Sequence, residues 1–91
     1  MKTVQLRISG KVQGVWFRAS AKDKAIELGV KGKIWNESNG DVSAIAQGTE
    51  EQINSFVEWC KVGPPLAKVN EVMIEEKENA ESYSAFEISR R

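Results

Sequence analysis

The stretch from Gly10 to Arg18 contains the residues best suited by type and spacing to chemistry. Gly14 lies in a loop that runs into a predicted helix, and glycine permits a tight turn there. The first amides of a helix lack internal partners, and together with the helix dipole they favour an anion. The Arg18 guanidinium can bind two phosphate oxygens at once. The loop is therefore able to hold a phosphate, but such loops are common and a lone arginine is usually solvated. Spacing alone favours a purely structural loop.

Asn36 is the second candidate, because a carboxamide both donates and accepts hydrogen bonds. It follows an alternating strand pattern that ends at Ile34, and it precedes the turn signal Asn39-Gly40. Alone, an asparagine in this place is more often a turn residue. Beside a bound phosphate, its side chain would be able to orient a water.

Two helices and four or five strands must position these groups. Alternating apolar residues predict the strands, and apolar residues three or four apart predict the helices. Thr49 and Gln52 form a predicted capping box at the start of the second helix. In chain order the elements are a strand over 4–8, a helix from 17 to 28, a hairpin over 30–48, a helix between 49 and 63, a strand over 69–75 and a short strand over 83–88.

This β-α-β-β-α-β(-β) order predicts one α+β domain over residues 1–91. It favours a ferredoxin-like α/β sandwich, in which an antiparallel sheet of four to five strands carries two helices on one face. In this fold the first and second strands run parallel and end at the same edge of the sheet. Arg18 follows one of these ends and Asn36 lies near the other, so their pairing favours a catalytic role for Asn36.

Composition excludes several kinds of chemistry. The chain has no histidine, which excludes Ser–His and Cys–His nucleophile pairs and histidine metal sites. Cys60, the single cysteine, falls at helical spacing with Ile53, Phe56 and Val57 and is predicted to lie in the core. The 13 basic and 13 acidic residues cancel, so net charge does not attract the chain to nucleic acid or anionic lipid.

Four motifs resemble those of the acylphosphatase family, and they cover nearly the whole chain in the right order. The longest, Gly10-Lys11-Val12-Gln13-Gly14-Val15-Trp16-Phe17-Arg18, is similar to the family signature Gly-x-Val-Gln-Gly-Val-x-Phe-Arg. The others are residues 32–36 with 39–42, residue 59 with 63–69, and residues 83–88. The family usually has an aromatic residue where Lys33 stands and often a basic residue where Trp35 stands.

The resemblance implies an enzyme that hydrolyses acyl phosphates to a carboxylate and inorganic phosphate without a metal or cofactor. By position, Arg18 matches the family's phosphate-binding arginine, and Asn36 matches the asparagine that holds the attacking water. The family's backbone phosphate cradle matches Gln13, Gly14, Val15, Trp16 and Phe17. A carboxylate is a weak base, so its departure needs no strong general acid, which suits a chain without histidine.

Two other functions stay open at this stage. An RNA-binding module on the same fold would carry stacking aromatic residues on its central strands, and residues 4–9 and 42–48 contain none. A catalytically silent phosphate-binding or regulatory domain would keep the pocket without turnover, and the sequence excludes it less well. Without an N-terminal signal or a long apolar span, we expect a cytoplasmic protein with no membrane partner. Neutral net charge argues against a nucleic-acid partner, and we expect a monomer.

Overall fold

Five strands and two helices occur in the residues that the computed structural model describes, 1–78 and 81–90. In chain order they are β1 (Lys2–Lys11), α1 (Phe17–Leu28), β2 (Lys31–Asn36), β3 (Val42–Gly48), α2 (Glu50–Val62), β4 (Lys68–Glu76) and β5 (Phe86–Ile88). The predicted order is confirmed. The predicted single domain also includes residues 79, 80 and 91, which lie outside the described ranges. Neither helix has the length and apolar character that crossing a membrane requires.

The strands form one sheet in the order β4-β1-β3-β2-β5. Neighbours among β1 to β4 are antiparallel, as predicted, whereas β5 joins β2 in parallel and makes the sheet mixed. Both β1 and β2 run antiparallel to β3, so they are parallel to each other. Their C-terminal ends therefore meet at the same edge of the sheet, where the candidate site was predicted.

Both helices pack on one face of the sheet. The core joins apolar residues of this face with helix residues, namely Val4, Leu6, Ile8, Ile34, Val42, Ala44 and Ala46 with Phe17, Ala21, Ala25, Ile53, Phe56, Val57 and Cys60. Phe56 of α2 also packs edge-on against Phe86 of β5, with ring centroids 5.5 Å apart. Burying each large apolar side chain contributes about 1.5–3 kcal/mol, so this layer holds both helices against the sheet.

The two helices begin in different ways. At α2 the predicted capping box is present: Thr49 Oγ1 accepts from the Gln52 amide at 3.1 Å, and Gln52 Oε1 accepts from the Thr49 amide at 2.9 Å. Glu50 and Glu51 add negative charge to that first turn. In contrast, α1 begins at Phe17 with no side-chain cap and no acidic residue in its first turn. The N-terminus of α1 therefore lacks the compensation that α2 has.

The edge strands differ from the central ones, and β5 is shorter than predicted. It begins at Phe86 rather than at Tyr83, because the Tyr83 amide donates to the side-chain Oε1 of Gln47 at 2.9 Å instead of to a strand. At the other edge, β4 packs Val69 and Val72 against the core but leaves most of its residues exposed. That exposure explains why its sequence pattern did not indicate a buried face.

Candidate active site

The loop between β1 and α1 presents backbone amides without internal partners. Among the described residues, no amide from Gln13 to Phe17 donates to another backbone group or to a side chain. Gly14 and Trp16 have left-handed backbones, with φ of 73° and 67°. Successive amides in turns of this kind form concave sites for anions. Together with the uncapped start of α1, the loop can bind a negatively charged group.

Buried side chains hold this loop in its conformation. Gly14 is required for its backbone angle rather than for space, because a Cβ there would meet nothing within 4 Å. Trp16 adopts the same left-handed region despite its side chain, at a cost of about 1–2 kcal/mol. On either side of Trp16, Val15 and Phe17 are buried, and the Phe17 ring packs at 5.5 Å from that of Trp59. These contacts stabilise a strained turn.

Arg18 lies in the first turn of α1 and lines the cleft that begins at the loop. A cation near a helix N-terminus is unfavourable by about 0.3–1 kcal/mol at an exposed position. No carboxylate of the described residues forms a salt bridge with it. A guanidinium beside unpaired amides is therefore suited to receive an anion, which would compensate both.

Asn36 ends β2 and lines the same cleft as Arg18. Its register partner on β3 is Val42, a fully buried core residue, so the Asn36 side chain belongs to the helix-covered side of the sheet. The Asn36 Oδ1 is buried, and no donor of the described residues hydrogen-bonds it. An unpaired buried acceptor costs about 1–3 kcal/mol, which calls for a functional explanation.

The Gln13 side chain connects the loop to the β2–β3 turn. Its Nε2 donates to the Glu37 carbonyl at 2.7 Å and to the Asp41 carbonyl at 2.9 Å. The Glu37 amide also donates to the Asp41 carbonyl at 2.8 Å and closes the turn that follows Asn36. One side chain thus ties the β1–α1 loop to the turn that follows Asn36. Only the backbone of Gln13, not its side chain, is predicted from the sequence to belong to the site.

The complete cleft has a volume of about 770 Å³, a size typical of small-molecule sites. Its lining residues are Val12, Gly14, Trp16, Phe17, Arg18, Ala19, Asn36, Ile88, Ser89 and Arg90. Five of the seven predicted site residues are therefore together in one cleft. Neither Gln13 nor Val15, whose backbone amides were predicted to bind phosphate, is among the lining residues. The Gln13 side chain reaches the hairpin turn, and the Val15 side chain is buried in the core.

The segment after β5 forms a wall of the cleft that was not predicted from the sequence. Parallel pairing places Ile88 beside Ile34, and the Ser89 amide donates to the Ile34 carbonyl at 2.8 Å. The chain therefore follows β2 toward Asn36 and brings Ile88, Ser89 and Arg90 to the cleft. Alternation over 83–88 indicated a strand but not its neighbour, so no sequence signal pointed to these residues.

The Cys60 thiol and the Glu37 carboxylate lie outside the cleft. Cys60 is buried in the core as predicted, and burial raises the pKa of its thiol to about 12, so it is protonated at neutral pH. The Glu37 carboxylate accepts from Ser43 Oγ at 2.7 Å and from Trp35 Nε1 at 3.0 Å, and it pairs with Arg7 at 3.5 Å. The strand register places Arg7, Ser43 and Trp35 in one row on the sheet face that no helix covers, which is called the uncovered face below. The Glu37 carboxylate therefore links side chains of that face and does not take part in the cleft.

Lys33 and Trp35, which depart from the family pattern, contact each other. The Lys33 ammonium lies 5.5 Å from the centroid of a Trp35 ring, which is a cation–π distance. Both residues lie on the uncovered face of β2, and neither lines the cleft. The chain thus keeps an aromatic and a cationic residue at these positions in the reverse order.

Proteins similar to this chain are described as acylphosphatases. A model of the acylphosphatase family matches residues 4–88. The chain is 49% identical over 87 residues to an acylphosphatase of Thiobacillus denitrificans, covering 96% of each sequence. The structure of an acylphosphatase from Bacillus subtilis superposes with a TM-score of 0.94 at 32% identity and covers 98% of this chain and 99% of the other. The structure of an acylphosphatase from Coxiella burnetii superposes with a TM-score of 0.92 at 42% identity. The match covers 97% of this chain and 92% of the other.

Proposed function

This chain belongs to the acylphosphatase family, and we propose that Arg18, the amides from Gln13 to Phe17 and Asn36 perform its reaction. An acylphosphatase hydrolyses an acyl phosphate to a carboxylate and inorganic phosphate. One observation supports the assignment of residues: Gly14, Trp16 and Phe17, whose amides have no partner among the described residues, line one cleft with Arg18 and Asn36.

The loop amides and Arg18 bind the phosphoryl oxygens of the substrate. Phosphoryl transfer depends mainly on placement and on stabilisation of charge, which fixed amides and a guanidinium supply. A hydrogen bond to a charged group contributes about 1.5–3 kcal/mol, whereas a helix dipole at an exposed site contributes about 0.3–1 kcal/mol. Arg18 is therefore expected to contribute more than the dipole of α1.

Asn36 holds the attacking water through a hydrogen bond of its side-chain carboxamide. A bond forms between the water oxygen and phosphorus while the bond from phosphorus to the acyl oxygen breaks. The electron pair of the broken bond leaves with the carboxylate, and the water proton passes to a phosphoryl oxygen. This route needs no side-chain base and no strong general acid, and we propose that it uses neither a metal nor a cofactor.

The direct test is hydrolysis of benzoyl phosphate in excess EDTA. The proposed mechanism predicts turnover at the same rate with and without the chelator. Phosphate binding without turnover would instead indicate the silent regulatory domain. Turnover that requires an added divalent metal would contradict the metal-free route.

Gln13→Ala is expected to lower the free energy of unfolding by about 1–3 kcal/mol, because it removes two hydrogen bonds between the loop and the hairpin turn. It should also lower kcat more than it weakens inhibition by phosphate, because the loop amides remain while Asn36 loses its fixed distance from them. Urea unfolding, kcat and the phosphate Ki measure these effects.

Gln13→Glu tests whether the donated hydrogen bonds of the Gln13 side chain are the cause of these effects. A carboxylate cannot donate to the Glu37 and Asp41 carbonyls, so the loss should exceed that of Gln13→Ala. Gln5→Ala, on β1 outside the cleft, is the matched control and should behave like wild type. Equal losses in kcat and in phosphate affinity would show that Gln13 supports the loop alone and does not align it with Asn36.

A nucleic-acid partner is not part of the proposal. The two aromatic residues on the strands, Trp35 and Phe86, are both buried, so neither offers an exposed ring on which a base would stack. We likewise propose a monomer that acts on a small acyl phosphate, with inorganic phosphate as product and inhibitor.

A further inference from the structure

Trp16 is exposed, whereas the residues directly before and after it are buried. Its side chain is 75% exposed, whereas Val15 and Phe17 are 4% and 1% exposed. It lines the cleft together with Arg18 and Asn36. A large apolar ring at the mouth of a polar site provides contact area for a ligand that the phosphate-binding groups do not use.

Ile88 supplies a second apolar surface in the same cleft. It is 38% exposed, and it lies on the wall that follows β5. A phosphoryl group held by the loop amides and Arg18 would leave its acyl group in the remainder of the cleft. That remainder contains the exposed parts of Trp16 and Ile88.

We propose that Trp16 and Ile88 form the subsite for the acyl group, and that the enzyme favours acyl phosphates whose acyl group is aromatic or branched apolar. The inference rests on the proposed function, because the phosphoryl end must occupy the site formed by Arg18 and Asn36. Small acyl groups such as acetyl offer less apolar surface to these two side chains and gain less from them.

The backbone of Trp16 supports a functional reason for this residue. A φ of 67° suits glycine and is strained for an aromatic residue. Within the described residues no side-chain hydrogen bond involves its indole. Folding therefore gains little from a tryptophan at this position, whereas a ligand in the cleft would gain an aromatic surface.

Arg90 provides the competing chemistry, because it also lines the cleft and would favour an acyl group that carries its own negative charge. The two possibilities differ in the variant that changes substrate preference. A preference that depends on Arg90 and not on Trp16 would overturn the apolar subsite.

The test compares kcat/KM for benzoyl phosphate and acetyl phosphate, since both release a carboxylate and differ in their acyl surface. For Trp16→Ala the ratio of the two values should fall about tenfold, the scale of one lost aromatic contact. Trp16→Phe should retain most of the ratio. Ile26→Ala is the control, because Ile26 is an exposed apolar residue of α1 that does not line the cleft. It should leave both kcat/KM values unchanged.

Trp16→Gly guards against a folding artefact. Glycine relieves the left-handed strain, so this variant should show a higher urea midpoint together with the same fall in the ratio. An unchanged ratio in both Trp16→Ala and Trp16→Gly, or a ratio that changes only in Arg90→Gln, would overturn the subsite. If wild type hydrolyses neither substrate, the proposed function itself fails, which is a distinguishable outcome.

Discussion

Arg18→Ala is expected to lower kcat/KM for benzoyl phosphate by at least about a hundredfold. One charge-assisted contact accounts for about tenfold to a hundredfold, and loss of the two-point grip on the phosphoryl group adds misalignment. Inhibition by inorganic phosphate should weaken in parallel, because the product uses the same contacts. Steady-state kinetics with phosphate as inhibitor measure both effects.

Stability separates this role of Arg18 from a structural one. Arg18 is a cation in the first turn of α1, where its charge opposes the helix dipole. Without phosphate, Arg18→Ala should therefore unfold at the same urea concentration as wild type or slightly above it. A ligand present at a hundred times its Kd stabilises a native protein by about 2.7 kcal/mol, and the variant should lose most of this gain from phosphate.

Lys24→Ala is the matched control for Arg18. It removes one positive charge from the same helix, and its side chain pairs with Glu27 at the exposed surface. Its kinetics should match wild type. Arg18→Lys keeps the charge without the planar fork and should fall between wild type and Arg18→Ala. Wild-type phosphate inhibition in Arg18→Ala would contradict the assignment.

Asn36→Ala is expected to lower kcat by about a hundredfold while KM and the phosphate Ki change little. A group that positions the attacking water acts in the transition state, and loss of one such preorganised group has this scale. The substitution removes an oxygen that accepts no hydrogen bond from the described residues, so no internal hydrogen bond to this oxygen is lost. Steady-state kinetics test the fall in kcat, and urea unfolding of the same preparation tests whether stability is kept when this oxygen is removed.

Two further variants separate the water-holding role of Asn36 from other roles. Asn36→Asp places a negative charge beside a dianion and should weaken phosphate inhibition, which Asn36→Ala should not. Asn39→Ala loosens the same hairpin turn, where Asn39 Oδ1 accepts from the Asp41 amide at 3.0 Å, but it lies outside the cleft. A fall in kcat for Asn39→Ala as large as that for Asn36→Ala would mean that turn geometry, not the carboxamide, controls turnover.

The fold was predictable where local patterns were strong. Thr49 and Gln52 indicated the start of α2, and Asn39-Gly40 indicated the hairpin turn, because capping and turn chemistry depend on neighbouring residues. The parallel pairing of β5 with β2 was not predicted. Strand neighbours depend on contacts between distant segments, which alternation does not encode.

The candidate site was predictable only in part for the same reason. The motif resemblance indicated Arg18 and Asn36, and the expected topology supported their pairing because it brings two parallel strand ends to one edge. The structure places both residues on one cleft. The hydrogen bonds of the Gln13 side chain and the cleft wall at Ile88 could not be predicted from local sequence patterns, because each joins segments more than 20 residues apart in sequence. The exposure of the Trp16 side chain was also not predicted, because its position in the motif does not determine the direction of its ring.

An amide NMR titration of the wild-type protein with inorganic phosphate tests the central claim most directly. Capture of the phosphoryl group by loop amides and Arg18 predicts that the largest shifts fall on the amides from Gln13 to Arg18 and on the Asn36 side-chain amide. The same shifts should vanish in Arg18→Ala. Phosphate that inhibits hydrolysis yet leaves these amides unchanged, or shifts a different surface, would contradict the account.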